Sequence, residues 1–218
     1  MEDCWLCFPR GRERSRADGA ADGCNCAMAA NWLCGAADIM VGKILMEERG
    51  DELQLDRSWD VWVSVRTAGG VPRVAGGFST VGDMWRLMNN LPAPSRAPVE
   101  ANICQFQSGV HPTWEDERNE RGGRWMFSVA SPRDADVAWR NLYVALSGET
   151  LDPKYDVVGI IMARRRNYTR FSVWTRDKDD EEAVLAVGVR IRAAVAAKKL
   201  VLEYQDHGAA YDQYRYTM

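Results

Sequence analysis

The chain has 218 residues, 46% of them hydrophobic, and a net charge of only −3. That is enough for one sizeable core plus a tail, and it excludes a whole-molecule basic field that would draw the protein onto nucleic acid, so any nucleotide site must be local. No run of 18 apolar residues exists to cross a bilayer, and Met1-Glu2-Asp3-Cys4 lacks the basic and then apolar order of a secretory signal, so the expectation is an intracellular, reducing location with no membrane partner.

Five of the six cysteines, Cys4, Cys7, Cys24, Cys26 and Cys34, fall within the first 34 residues. Cys4-x-x-Cys7 with Cys24-x-Cys26 offers four thiolates to a tetrahedral zinc. The second pair is tighter than a usual knuckle, and unpaired thiols on an extension is the better reading, so no metal or other cofactor is expected. Residues 9–26 mix Arg, Asp, Gly and Ala without periodicity and read as a mobile tail. Between Cys26 and Met46, Trp32, Leu33, Ala36, Ile39 and Met40 recur near helical spacing, as a helix packed on the body or a segment for a partner. The charged stretch Glu47 to Arg57 separates it from the body. The division is therefore a partly flexible Cys-rich extension, 1–52, and a globular domain, 53–218.

From Trp59 the period becomes two. Trp59, Val61, Val63 and Val65 share one strand face, and Asp60, Trp62, Ser64 and Arg66 the other. The Gly-rich piece Ala68 to Gly77 reads as a loop or loose hairpin. Thr80 and Asp83 have capping-box spacing ahead of an apolar stripe, Val81, Met84, Trp85 and Met88, which Leu91-Pro92 ends.

The stretch from His111 to Trp125 is the most informative. It sets Trp114 beside Glu115 and returns through Gly122-Gly123 to a second strand carrying Trp125, Phe127 and Val129. An indole next to a carboxylate holds a flat cationic ligand by its face and by its hydrogen-bonding edge. A guanine methylated at N7 is such a ligand, so the residues point to recognition of a modified base.

Ser131, Pro132 and Asp134 mark another helix start, with Trp139, Leu142, Tyr143 and Leu146 on its core face. Val137, Asn141, Val144 and Gly148 form a second, less apolar face. Val157 to Ala163 and Phe171 to Thr175 are strands joined by an Arg-rich hairpin. A third helix spans Glu181 to Lys199, with Val184, Val187, Ile191 and Val195 inward and Lys198 and Lys199 complementing its C-terminal dipole. Leu200 to Tyr204 is a further strand. Three helices among antiparallel hairpins give an α+β domain with helices on one sheet face and the opposite face open to a ligand.

Together these residues resemble the eukaryotic translation initiation factor 4E family, which binds the 5′ cap of messenger RNA. Trp114-Glu115-Asp116-Glu117 with Arg121-Gly122-Gly123-Arg124-Trp125 carries the family's most specific signature. Trp59-x-x-Trp62, Phe78-Ser79-Thr80-Val81-x-Asp83-x-Trp85, Leu146-Ser147-Gly148-Glu149, Phe171-Ser172-Val173-Trp174-Thr175 and Tyr204-Gln205 follow in order, over roughly residues 53 to 207.

The resemblance implies a curved antiparallel sheet with three long helices on its convex face and the cap in its concave face. It assigns Trp114 to one of two tryptophans that sandwich the methylated guanine, and Glu115 to the acid that receives the guanine N1 and N2 protons. Arg165 and Arg170 fall on phosphate-binding positions, Arg124 on one that supports them, and Trp174 on a tryptophan near the methyl group. Asn167 stands where a basic residue is common. The second sandwich tryptophan has no counterpart, because no aromatic occurs between Trp62 and Phe78. The ligand then stacks on Trp114 alone with help from Arg73, or Trp5 or Trp32 swings in.

On the convex face, Val81, Trp85, Arg140, Asn141, Val144 and Gly148 align with the surface that receives the helical motif of scaffold and repressor proteins. Asn141 replaces the usual glutamate, which implies altered selectivity. The implied partners are capped mRNA, multiply methylated caps included, and a scaffold or repressor with a helical motif. The implied location is the cytoplasm, with the nucleus as a second site.

Catalysis finds little support. His111 and His207 are the only histidines, without a nucleophile or carboxylate in suitable context, and no glycine run has phosphate-loop spacing. The expected function is a non-enzymatic link between the N7-methylguanosine cap and an initiation scaffold. The competing reading is a non-initiating interaction module, or a translational repressor, with a weakened cap pocket.

Overall fold

The protein is described here by a computed structural model that covers residues 53–65, 71–152, 154, 156–195, 200–210 and 213–218. The readings placed on 1–52, and on Lys198 and Lys199, lie outside the described residues.

Alternating side chains make β1 (Gln54–Val65), second from one edge of the sheet, a strand with two different faces. Trp59, Val61, Val63 and Val65 are buried in the main core, while Trp62 joins a separate cluster on the other face. The remaining strands are β2 (Arg73–Thr80), β3 (Ala101–Gln107), β4 (Gly123–Val129), β5 (Val157–Arg164), β6 (Thr169–Thr175), β7 (Glu203–Asp206) and β8 (Tyr216–Thr217). They form one antiparallel sheet in the order β2-β1-β3-β5-β6-β4-β7-β8.

Among the described residues, three helices cover one face: α1 (Val81–Asn90), α2 (Pro132–Ser147) and α3 (Glu181–Val195). Thr80 caps α1 by accepting the Asp83 amide at 3.1 Å, and Ser131 caps α2 by accepting that of Asp134 at 3.3 Å, as the sequence spacing predicts. Trp139, Leu142, Tyr143 and Leu146 of α2, with Val184, Val187, Ile191 and Val195 of α3, sink into the core against Trp59 and Trp125. Each large apolar side chain so buried contributes about 1.5–3 kcal/mol. This is the expected α+β architecture.

Several expectations change in detail. Of the two readings of the Gly-rich piece, the hairpin holds: its second half, from Arg73, enters edge strand β2, which runs antiparallel to β1 and buries Ala75 and Phe78. Gly77 fits there because β1 lies close; a Cβ would stand 3.2 Å from the Trp59 carbonyl oxygen. The charged stretch before Trp59 does not all separate domains, because its end, from Gln54, already belongs to β1. On α1 the core takes Met84 and Leu87, leaving Trp85 39% exposed. The last long strand begins at Glu203, later than the predicted Leu200, although Leu202 exchanges both backbone hydrogen bonds with Met218.

Candidate functional site

Sheet register builds the helix-free face in three rows. Nearest the β5–β6 hairpin run Ser64, Asn102, Ala163, Arg170 and Ser128. The middle row is Trp62, Cys104, Ile161, Ser172, Met126 and Glu203. The third is Asp60, Phe106, Gly159, Trp174, Arg124 and Gln205. The face is thus apolar in the centre and cationic toward the hairpin and β4. A bulge at Val157–Gly159 lets β5 serve both sides: Val157, Ile160 and Met162 join the main core, Val158 and Ile161 the opposite cluster.

The loop between β3 and β4 is pinned by its own side chains. The Asp116 carboxylate accepts the amides of His111 and Arg118, each at 2.9 Å. Buried Asn119 donates to the carbonyls of His111 at 2.8 Å and Thr113 at 2.7 Å. These bonds present Trp114 half-buried against the Cys104–Phe106–Trp174 cluster and leave Glu115 exposed, with no partner among the described residues. Gly122 and Gly123 then weld the loop to the sheet. A Cβ at Gly122 would collide with the Thr175 carbonyl oxygen, and one at Gly123 would lie 2.5 Å from the Tyr204 hydroxyl.

Three arginines stand on this face and at its hairpin edge. Two Arg165 nitrogens donate to the Asn102 Oδ1 at 3.2 Å, with Glu100 farther away at 3.7 Å. Arg170 lies 5.7 Å from the centre of the Tyr168 ring. Arg124 donates to the Gln205 Oε1 at 2.8 Å, a neutral acceptor. Burial first, and then repulsion from Arg170, lower its pKa to about 10, partly offset by Tyr214. A guanidinium so disfavoured marks a place that prefers an anion.

His207 lies against Trp174 at 4.2 Å between ring centres with the rings tilted by 45°, and burial first, then Arg124 and Lys178, lower its pKa to about 3, so the imidazole is neutral. Among the described residues, the Trp62 Nε1, Arg124 Nε, Trp174 Nε1 and His207 Nε2 are buried without a hydrogen-bond partner. Such groups cost free energy unless something polar meets them.

The structure therefore brings Trp114, Arg124, Arg170 and Trp174 to one face and its covering loop, puts Arg165 at the edge by the hairpin, and leaves Glu115 on the loop. Arg164 donates its Nη1 to the Arg165 carbonyl at 2.7 Å. Asn167 is exposed. Of the segment where the second tryptophan is missing, 66–70 lie outside the described residues, as do Trp5 and Trp32; Arg73 is exposed at the start of β2. Sequence reasoning gave no role to Asn102, Asp116, Asn119, Gln205 or the His207–Trp174 contact. Asp116 and Gln205 stand inside the motifs that carry the family resemblance, which was the available signal for those two.

On the helical face, Trp85, Arg140, Asn141 and Val144 share a groove of about 550 Å³ that α3 completes. Val81 and Gly148 lie outside its lining, on α1 one turn ahead of Trp85 and just past α2 one turn beyond Val144.

Residues 54–217 match the family model for eukaryotic initiation factor 4E. The chain belongs to that family. Among its relatives, initiation factor isoform 4E of Solanum lycopersicum is 28% identical over 160 residues, spanning 70% of this chain and 80% of that protein. Among solved structures, the complex of Caenorhabditis elegans eIF4E-3 with the 4E-binding protein Mextli and cap analog superposes with a TM-score of 0.72 at 25% identity, covering 77% of this chain and 100% of that one. Ascaris suum eIF4E-3 with m2,2,7G cap gives 0.71 at 25% identity, covering 77% and 99%. At family level, an initiation factor 4E is a non-catalytic, cap-binding and scaffold-linking module of translation initiation, so this protein is a divergent, non-enzymatic member.

Proposed function

We propose that the protein binds the N7-methylguanosine cap of mRNA on its helix-free face and joins it to a scaffold protein through the Trp85 groove. The observation that carries this reading is the self-bonded loop that presents Trp114 and Glu115 at the face that also carries Arg124 and Arg170, with the Arg124 Nε buried and without a hydrogen-bond partner. The methylated guanine is cationic, so the Trp114 ring attracts its face and the Glu115 carboxylate accepts its N1 and N2 protons by charge-assisted bonds. The Trp114 backbone amide donates to O6. Arg165 and Arg170 take the phosphates, Arg124 supports them, and Trp174 lies near the methyl group. The C. elegans relative bound to a cap analog and Mextli, and the Ascaris relative bound to m2,2,7G cap, support ligands of both kinds, multiply methylated caps included. The protein acts in the cytoplasm, with a second location in the nucleus.

One observation favours the alternative of a repressor or interaction module. With no aromatic between Trp62 and Phe78, the ligand loses one stacking face, which costs about 1–3 kcal/mol.

Tryptophan-fluorescence titration with N7-methyl-GTP, GTP and a multiply methylated cap analogue, at two salt concentrations, separates the readings. Saturable quenching that prefers the methylated ligands and weakens with salt supports cap recognition. Absence of quenching by all three rejects it and leaves the interaction module.

A further inference from the structure

We propose that the groove between α1, α2 and α3 selects an amphipathic helix bearing acidic side chains beside its apolar stripe. This rests on the partner-surface reading above and specifies the partner's chemistry. Val144, Ala145 and Ala194 give the groove apolar surface, and Trp85 stands exposed beside it. Its charged lining consists of Arg140 and Arg190 alone; no Asp or Glu contributes.

The carboxylates nearest in sequence are already committed. Glu149, one residue before the lining residue Thr150, is sealed against Arg57 with a tenth of its side chain exposed. Asp152, directly after the lining residue Leu151, is buried and accepts the backbone amides of Lys154 and Val157. Asp83, two residues before Trp85, pairs with Arg86. Asn141, at the position where the resemblance places a glutamate, spends its amide on a 2.9 Å bond to the Ala194 carbonyl that ties α2 to α3. A basic partner therefore finds no anion here. A carboxylate finds two planar forks that match its geometry, and a helix can lay its apolar stripe between them.

The test uses the full chain and two fluorescent helical peptides with the same leucine stripe, one flanked by glutamates and one by lysines, titrated by anisotropy at low salt. The glutamate peptide should bind about tenfold tighter, an advantage that shrinks with salt. The double variant Arg140→Glu/Arg190→Glu should reverse the preference. Circular dichroism melts check folding, and Arg140→Gln/Arg190→Gln, expected to erase the preference, serves if the reversal variant does not fold.

Equal binding of both peptides, with both lost in Trp85→Ala, would overturn the acidic preference and leave the partner surface standing. Failure of both to bind would overturn the surface as well. So would a concentration-dependent dimer dissolved by Trp85→Ala, which would make a second copy the occupant.

Discussion

Arg57 and Arg124 both set a guanidinium into the body, in opposite surroundings. Arg57 grips Glu149 through two nitrogens at 2.7 and 2.5 Å, gives a third to the Val157 carbonyl at 3.0 Å and lies 4.7 Å over the Trp59 ring. Its charge is closed within the fold. Arg124 meets one neutral amide, keeps an unpartnered Nε and faces the repulsion of Arg170. The one charge is cancelled inside the fold beside Trp59, whereas the other rests on a neutral acceptor on the helix-free face. The side chain type does not tell the two roles apart, but its company does.

Breaking the closed pair should have the largest effect. Arg57→Leu strands the Glu149 carboxylate and should cost about 3–5 kcal/mol of stability. Chemical denaturation would register it, and N7-methyl-GTP affinity of the folded fraction should stay at the parent's value. Next in size, Trp114→Ala and Glu115→Ala should each remove most of the cap affinity. For Trp114, the lost stacking alone is about 1–3 kcal/mol. If Glu115→Ala still distinguished N7-methyl-GTP from GTP as the parent does, the edge recognition assigned to Glu115 would be wrong.

Opening the comparison from the other side, Arg124→Gln should weaken N7-methyl-GTP by about tenfold, near 1.4 kcal/mol, and flatten its salt dependence. The melting temperature should change little, because the charge it removes is disfavoured by its surroundings. A large loss of stability would place Arg124 with Arg57 instead.

The smallest effect is a pH slope. His207 is held near pKa 3, below its ordinary 6.5, so its contribution to stability is complete above 6.5 and is lost as pH falls toward 3. Asp156, raised mainly by burial from 3.8 to about 6, acts in the reverse sense over that narrower span, which blurs the parent's profile. His207→Gln isolates the difference: its melting temperature should fall less than the parent's between pH 6.5 and 4. Parallel curves would refute the assignment.

Much of this division was legible in the chain. Period-two burial in β1 and the capped starts of α1 and α2 follow directly from local pattern, because each is decided within a few residues. Trp114 and Glu115 stand out for the same reason. The partners of the arginines do not. Asn102 and Gln205 meet their arginines across 63 and 81 residues of sequence, and β3 is buried on both faces, which hides its alternation. The tilt of α1 that buries Leu87 and exposes Trp85 is likewise a tertiary choice that helical spacing leaves open.

The glycine weld at the end of the β3–β4 loop sets a boundary for anyone who would retarget the protein. Residues between Val110 and Arg121 can be exchanged in a library, provided Asp116 and Asn119 keep their bonds. Gly122 and Gly123 cannot join that library, because even a methyl group there meets the Thr175 carbonyl or the Tyr204 hydroxyl. The loop's sequence is therefore open to redesign, and its point of attachment is closed.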